Sequence, residues 1–171
     1  MIQARSLENG NIDVAEKWIV HAQYGIGQIK GVDEKEISGE KARYYRVKTK
    51  NSTFWVPTNQ INNEMLRPLS APEDIQEAID ILQKSPKSMS PNAKIRQTRI
   101  RETRQHNTPQ EIARLIRDLR ELQREKAILN QNERSALQNL KKRLAEEWAV
   151  VVGLKAEQAT VKLDALLNAR H

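Results

Sequence analysis

Residues 17–57 read KWIVHAQYGIGQIKGVDEKEISGEKARYYRVKTKNSTFWVP, and the pattern of that stretch decides the fold. Apolar side chains recur at every second position at Tyr45 and Val47 and again at Phe54 and Val56, while Arg46, Lys48 and Trp55 fall on the opposite face. A period of two, carried by β-branched and aromatic residues, belongs to half-buried strands, and the stretch divides into four short ones. Gly25 and Gly27 stand where the chain must bend tightly, Ser38-Gly39 predicts a hairpin turn ahead of Tyr44-Tyr45, and Asn51-Ser52 predicts the last one. The outcome is a small antiparallel sheet with one buried face. Neither glycine pair has the form of a phosphate-binding loop.

Working outward, Met1 to Ala15 is polar with turn chemistry at Glu8 to Asn11 and reads as a loose tail. Beyond the sheet, Thr58 to Asn63 reads as a polar loop or short helical turn. Pro68, which has no N–H to give a ladder, is expected to end the sheet. After residue 70 the period changes to that of helices. Ser70-Ala71-Pro72-Glu73 has the form of a capped helix start, with an apolar face of Ile75, Ala78, Ile79 and Leu82 and a stop at Ser85-Pro86. Ser90-Pro91 caps a second helix, to about His106, which carries Lys94, Arg96, Arg99, Arg101 and Arg104 with Ile95 and Ile100 as its large apolar residues. Thr108 caps a third, with the stripe Ile112, Leu115, Ile116, Leu119 and Leu122 flanked by Arg114, Arg117, Arg120 and Arg124. Asn130 to Glu133 opens a fourth, whose inward residues are Leu137, Leu140, Leu144, Trp148 and Val151 and which ends at Gly153. A fifth runs from about Ala156 to Asn168. The expected domains are a tail at 1–15, a sheet domain at 16–70, a helix and linker at 71–88 and a basic helical domain at 89–171.

Charge is distributed unevenly along this plan. Residues 1–83 hold 10 Lys and Arg against 12 Asp and Glu, residues 84–143 hold 16 against 6, and residues 144–171 hold 3 against 4. The overall +7 therefore comes from a middle segment at +10, between segments at −2 and −1. A local excess of this size is the footprint of a polyanionic partner. With no cysteine the chain has no disulfide or thiolate chemistry, and its three histidines, His21, His106 and His171, share no ligand spacing. The acids Asp33, Glu34 and Glu36 lack an accompanying nucleophile or oxyanion donor, so catalysis is not expected, nor is a cofactor or a metal. His21 reads as a structural histidine. The apolar runs are as short as that around Ala149 to Val152, and residues 1–10 lack the core of a signal peptide, so a soluble, cytoplasmic protein with no membrane partner is expected.

His21 to Ile29 (HAQYGIGQI), Lys35 to Glu40 (KEISGE), Tyr44-Tyr45 and Val56-Pro57 resemble, in order and spacing, the RNA polymerase-interacting domain of the CarD/CdnL family of bacterial transcription regulators, shared with transcription-repair coupling factors. Ile116 to Leu119 (IRDL), Leu129 to Arg134 (LNQNER) and Glu147 to Ala149 (EWA) similarly resemble that family's C-terminal domain. The resemblance implies an α+β protein of two domains, a small Tudor-like antiparallel β-barrel followed by a compact all-α domain of four to five short helices. It implies that the first domain docks on the RNA polymerase β subunit, for which Lys35, Arg46, Thr53 and Trp55 are the candidate residues, and that the second contacts promoter DNA. An outward Trp on a half-buried sheet is a common interface anchor, which favours Trp55 independently. For DNA the candidates are Ala93, Lys94, Arg96, Arg99, Arg101, Arg104 and Arg134.

Two departures accompany the resemblance. Lys17-Trp18 and Ala22-Gln23-Tyr24 replace residues usual around the first strand. More consequentially, Ala93 occupies the position of the family's tryptophan wedge, and a methyl group cannot fill a kinked base step. The expected function is transcription regulation by a monomer that binds polymerase and the DNA backbone and modulates open-complex stability. The alternative is a polymerase-binding module without wedge activity, whose basic helices contact another protein or RNA.

Overall fold

The structure, a computed structural model, describes residues 17–59, 66–126 and 128–169. The expected tail over 1–15 and the loop beyond Asn59 lie outside the described residues. Two compact units emerge, residues 1–69 and residues 70–171.

The first unit is a five-stranded antiparallel sheet. Its strands are β1 (Trp18–His21), β2 (Gly25–Ile37), β3 (Glu40–Lys48), β4 (Thr53–Pro57) and β5 (Leu66–Pro68), in the order β4-β3-β2-β1-β5. Ile19, Ile29, Tyr45, Val47, Val56 and Leu66 form its core, with Phe54 packed against them. The inward and outward sets on β3 and β4 are those the alternation predicts. Ser38 and Gly39 both have positive φ (54° and 83°), the geometry of a two-residue turn whose twist matches the strands it joins. At Gly27 a Cβ would lie 2.7 Å from Val47 Cγ1, so a glycine is what lets β2 and β3 close over the core.

Pro68 is the last residue of β5, opposite Ile19, and the sheet ends there as expected. An edge strand tolerates proline because its outer N–H has no partner to lose. One expectation is corrected: the sheet is open rather than a closed barrel. Among the described residues, its edges β4 and β5 are not paired to each other, and β5, only three residues long, adds a short rim instead of a closing strand.

The second unit comprises α1 (Pro72–Gln83), α2 (Ala93–His106), α3 (Pro109–Lys126), α4 (Gln131–Val152) and α5 (Ala156–Asn168). Leu115, Ile116 and Leu119 are fully buried at its centre, and each such side chain contributes about 1.5–3 kcal/mol relative to exposure. Leu140, Leu144 and Trp148 of α4 and Leu163 of α5 complete that core. The first helix, expected as part of a connecting segment at 71–88, belongs to this unit, because Ile75, Ala78, Ile81 and Leu82 bury one face in the same core.

Caps explain where the helices begin. Asn130 and Glu133 exchange both bonds of a capping box at α4, and Gly153 ends that helix at φ 77°. Thr108 Oγ1 accepts from the Glu111 N–H at α3. Ser70 does not cap α1. Its hydroxyl donates to Glu147 Oε2 at 3.1 Å, a partner 77 residues away, and Ala71 takes the cap position without a side-chain bond. At α2 the cap is Asn92 rather than Ser90-Pro91, and its Oδ1 accepts from the Lys94 N–H at 2.9 Å. No described helix is long and apolar enough to cross a membrane.

Candidate functional site

Two surfaces gather the candidate residues. The first is the outer face of β2, β3 and β4, and a β-bulge creates it. Ile29 pairs with Val47 and Gly31 with Arg46, leaving Lys30 as the extra residue. That insertion shifts the alternation by one, so Gly31, Asp33 and Lys35 share the outer face with Arg46 and Trp55. Gly31 faces Arg46 directly. A Cβ there would stand 3.0 Å from Arg46 Nη2, so the missing side chain leaves the guanidinium room to lie across β2.

Arg46 Nη1 donates to both Asp33 oxygens, at 2.8 and 3.1 Å. Trp55, directly opposite Arg46 on β4, donates its indole N–H to Asp33 Oδ2 at 2.8 Å. Lys35 completes the group, with its ammonium 3.2 Å from the centre of the Trp55 ring. The Trp55 N–H above all, with lesser help from the Arg46 guanidinium and Lys35, holds the Asp33 carboxyl below the usual aspartate range, although burial pushes the other way. Even so engaged, Trp55 is 41% exposed. Thr53, paired with Lys48, is exposed one step along β4. The structure therefore brings Lys35, Arg46 and Trp55 together around an organiser, Asp33, that sequence reasoning weighed only as part of an acidic run. The alternation Gly31, Asp33, Lys35 was the signal that could have found it.

His21 sits apart from this face. Its Nδ1 accepts the N–H groups of Gln23 and Tyr24, and its ring packs beside Tyr24 and Phe54.

The second surface is α2, and here the expected row of cations divides. Arg96 is buried. Its Nε donates to Glu133 Oε1 at 2.6 Å, and its Nη1 donates to the carbonyls of Ser90 and Pro91, both at 3.0 Å. It staples the turn before α2 to the start of α4, and its assignment to DNA is corrected accordingly. Arg99 pairs with Asp118 at 2.7 Å, and Asp118 also accepts from Arg117 and from the Lys87 N–H. Burial pushes the Asp118 carboxyl up, but those hydrogen bonds outweigh it and its pKa lies below the ordinary value.

Lys94 and Arg101 remain on the exposed face of α2, Arg104 is half-buried, and Arg134 is exposed at the start of α4 with a bond to Gln131. Ala93 is the first residue of α2 and is exposed; Ile95, two positions on, is 56% exposed. A residue not anticipated from sequence is Arg143 of α4. Burial lowers its pKa, and the neighbouring Arg104 charge lowers it further against the opposing Glu146. The Arg104 and Arg143 charges therefore repel each other from different helices. No local pattern announces such a pair, because it forms only when α2 meets α4.

The chain thus joins a sheet with a charged, aromatic outer face to a helical unit whose cations are partly spent on internal carboxylates. Residues 16–70 match the CarD-like/TRCF RID domain and residues 77–164 match the CarD C-terminal domain. Over 142 residues the chain is 30% identical to a protein of Bacillus subtilis (strain 168) named "Putative transcription factor YdeB", covering 82% of this chain and 92% of that relative. The chain belongs to the CarD/CdnL-like family, which places it in transcription regulation.

Proposed function

We propose that the sheet unit docks on the β subunit of RNA polymerase and that the helical unit contacts the promoter DNA backbone, modulating the stability of the open complex. The observation that carries the docking half is the exposed Trp55, held on the outer face by Asp33 and flanked by Lys35 and Arg46. Exposed aromatic residues braced by charged neighbours are the usual anchors of protein interfaces. Thr53 and the outer side of β4, unpaired among the described residues, extend that face to a sheet edge, where a partner strand can add.

DNA contact falls to Lys94, Arg101, Arg104 and Arg134, with Arg99 engaged by Asp118 and Arg96 withdrawn into the fold. Four phosphate contacts give log K a slope of about −3 to −4 against log salt on duplex DNA, a weak attachment by itself. Tethering makes it effective, because polymerase bound by one unit raises the local DNA concentration seen by the other. The protein acts as a cytoplasmic monomer without a cofactor in this account.

A second reading is favoured by Ala93. At the first residue of α2 it exposes a methyl group where the family carries an inserting ring, so the basic helices could serve another protein or RNA. Binding of the full chain to polymerase, before and after Trp55→Ala, tests docking. Gel shift on duplex DNA against single-stranded RNA of equal length separates the two readings of the helical unit; tighter RNA binding would favour the second.

A further inference from the structure

We infer that Asp33 is the positioning residue of the docking face: it fixes Trp55 so that the indole presents carbon, not its N–H, to a partner surface that is apolar at its centre and acidic at its rim. This rests on the docking reading above and specifies what that surface must offer.

An indole has one donor. Trp55 spends it on Asp33 Oδ2 at 2.8 Å, and the Lys35 ammonium sits 3.2 Å from the ring centre, covering one face. Two attachments at different parts of the ring leave few rotamers, so the indole is ordered before a partner arrives and loses less entropy on binding. A partner acceptor aimed at the N–H would have to displace a charged carboxylate. What Trp55 still exposes is apolar, and its complement is an aliphatic or aromatic pocket.

The rim follows from charge. Lys35, Arg46 and Lys48 lie on the same outer face as two acids, Asp33 and, at the far end of β3, Glu40, and the Asp33 oxygens already accept from Arg46 and Trp55. An approaching surface meets an excess of positive charge around an apolar centre. Carboxylates flanking an apolar pocket complement it; a basic or uniformly polar surface does not.

The test is a double-mutant cycle on the full chain, reading affinity for purified core RNA polymerase with wild type, D33A, W55F and D33A/W55F. D33A is expected to weaken binding about 10-fold, whereas the same change in the W55F background costs less than about 2-fold, a coupling that a general structural role would not produce. D33N keeps an oxygen that can accept the indole N–H and is expected to recover part of the loss. None of these residues belongs to the sheet core, and melting curves of each variant check the fold. Wild-type affinity in D33A, or an equal loss in both backgrounds, would overturn the positioning role. Absence of wild-type binding would be a different result: it would remove the docking reading and this inference with it.

Discussion

The Arg96 guanidinium lies 2.6 Å from the Glu133 carboxylate, with the two side chains only 10% and 4% exposed, and this contact ties the first turn of α2 to the capping box of α4. Glu133 serves twice, accepting from the Asn130 N–H through Oε2 and from Arg96 through Oε1. A cation that sequence places on a DNA-facing helix is thus an internal fastener.

Removing one partner of such a pair leaves an uncompensated buried charge, which costs about 3 to 5 kcal/mol. Arg96→Ala and Glu133→Ala are each expected to lower the melting temperature of the helical unit by roughly 10 °C or more, on the scale of a domain of this size. Lys94→Ala, on the exposed face, should leave it unchanged. Thermal denaturation followed by circular dichroism checks all three, and an unaffected Arg96→Ala would return that arginine to the surface.

Asp118 sets an acid limit on the same unit. Its folded pKa is depressed below the ordinary 3.8, so its stabilisation is complete above the unfolded value and is lost as pH falls through the folded one. Stability should hold through neutral and mildly acidic pH and decline below about pH 4, where the unfolded carboxyl begins to bind its proton first. Asp118→Asn is expected to lower stability at neutral pH, because Arg99 and Arg117 lose their counter-charge, and to flatten the acid limb. Chemical denaturation at a series of pH values measures both.

Two glycines of β2, Gly27 and Gly31, should respond differently to Ala. At Gly27 the new methyl would meet Val47 Cγ1 at 2.7 Å and the Lys48 carbonyl at 3.3 Å, and overpacking of that kind costs about 1–3 kcal/mol. At Gly31 the obstacle is the far end of Arg46, at 3.0 Å, which can swing away. Gly31→Ala is therefore expected to keep the melting temperature within a few degrees while weakening polymerase binding, since Arg46 must leave Asp33. Parallel melting and binding measurements distinguish the two sites.

Neutralising Lys94, Arg101, Arg104 and Arg134 to Gln should flatten the salt dependence of DNA binding by about 0.9 per contact removed. Fluorescence anisotropy on a duplex between low and moderate salt reads that slope. An unchanged slope would move the DNA surface off these residues.

Local patterns carried much of this fold. The stripe from Ile112 to Leu122, the box at Asn130 and Glu133 and the stop at Gly153 are visible because each depends on residues within a few positions of one another. The inward pair Tyr45 and Val47 is equally local. Partnership across the chain was not legible. Ser70 has the composition of a cap, yet Glu147, far along α4, claims its hydroxyl. Five cations on α2 look alike in sequence, and only the arrival of Glu133 and Asp118 separates Arg96 and Arg99 from Lys94 and Arg101. The bulge at Lys30 likewise hid Asp33, because a one-residue shift reverses every following side chain.

The most direct test of the central claim is the lifetime of an open promoter complex formed by the cognate polymerase at moderate salt, with and without the protein. Docking together with DNA contact is expected to shift that lifetime from the value for polymerase alone, and the shift should vanish both in Trp55→Ala, which undoes docking, and in Lys94→Gln/Arg101→Gln, which undoes DNA contact. An unchanged lifetime with wild-type protein demonstrably bound to the polymerase would contradict it.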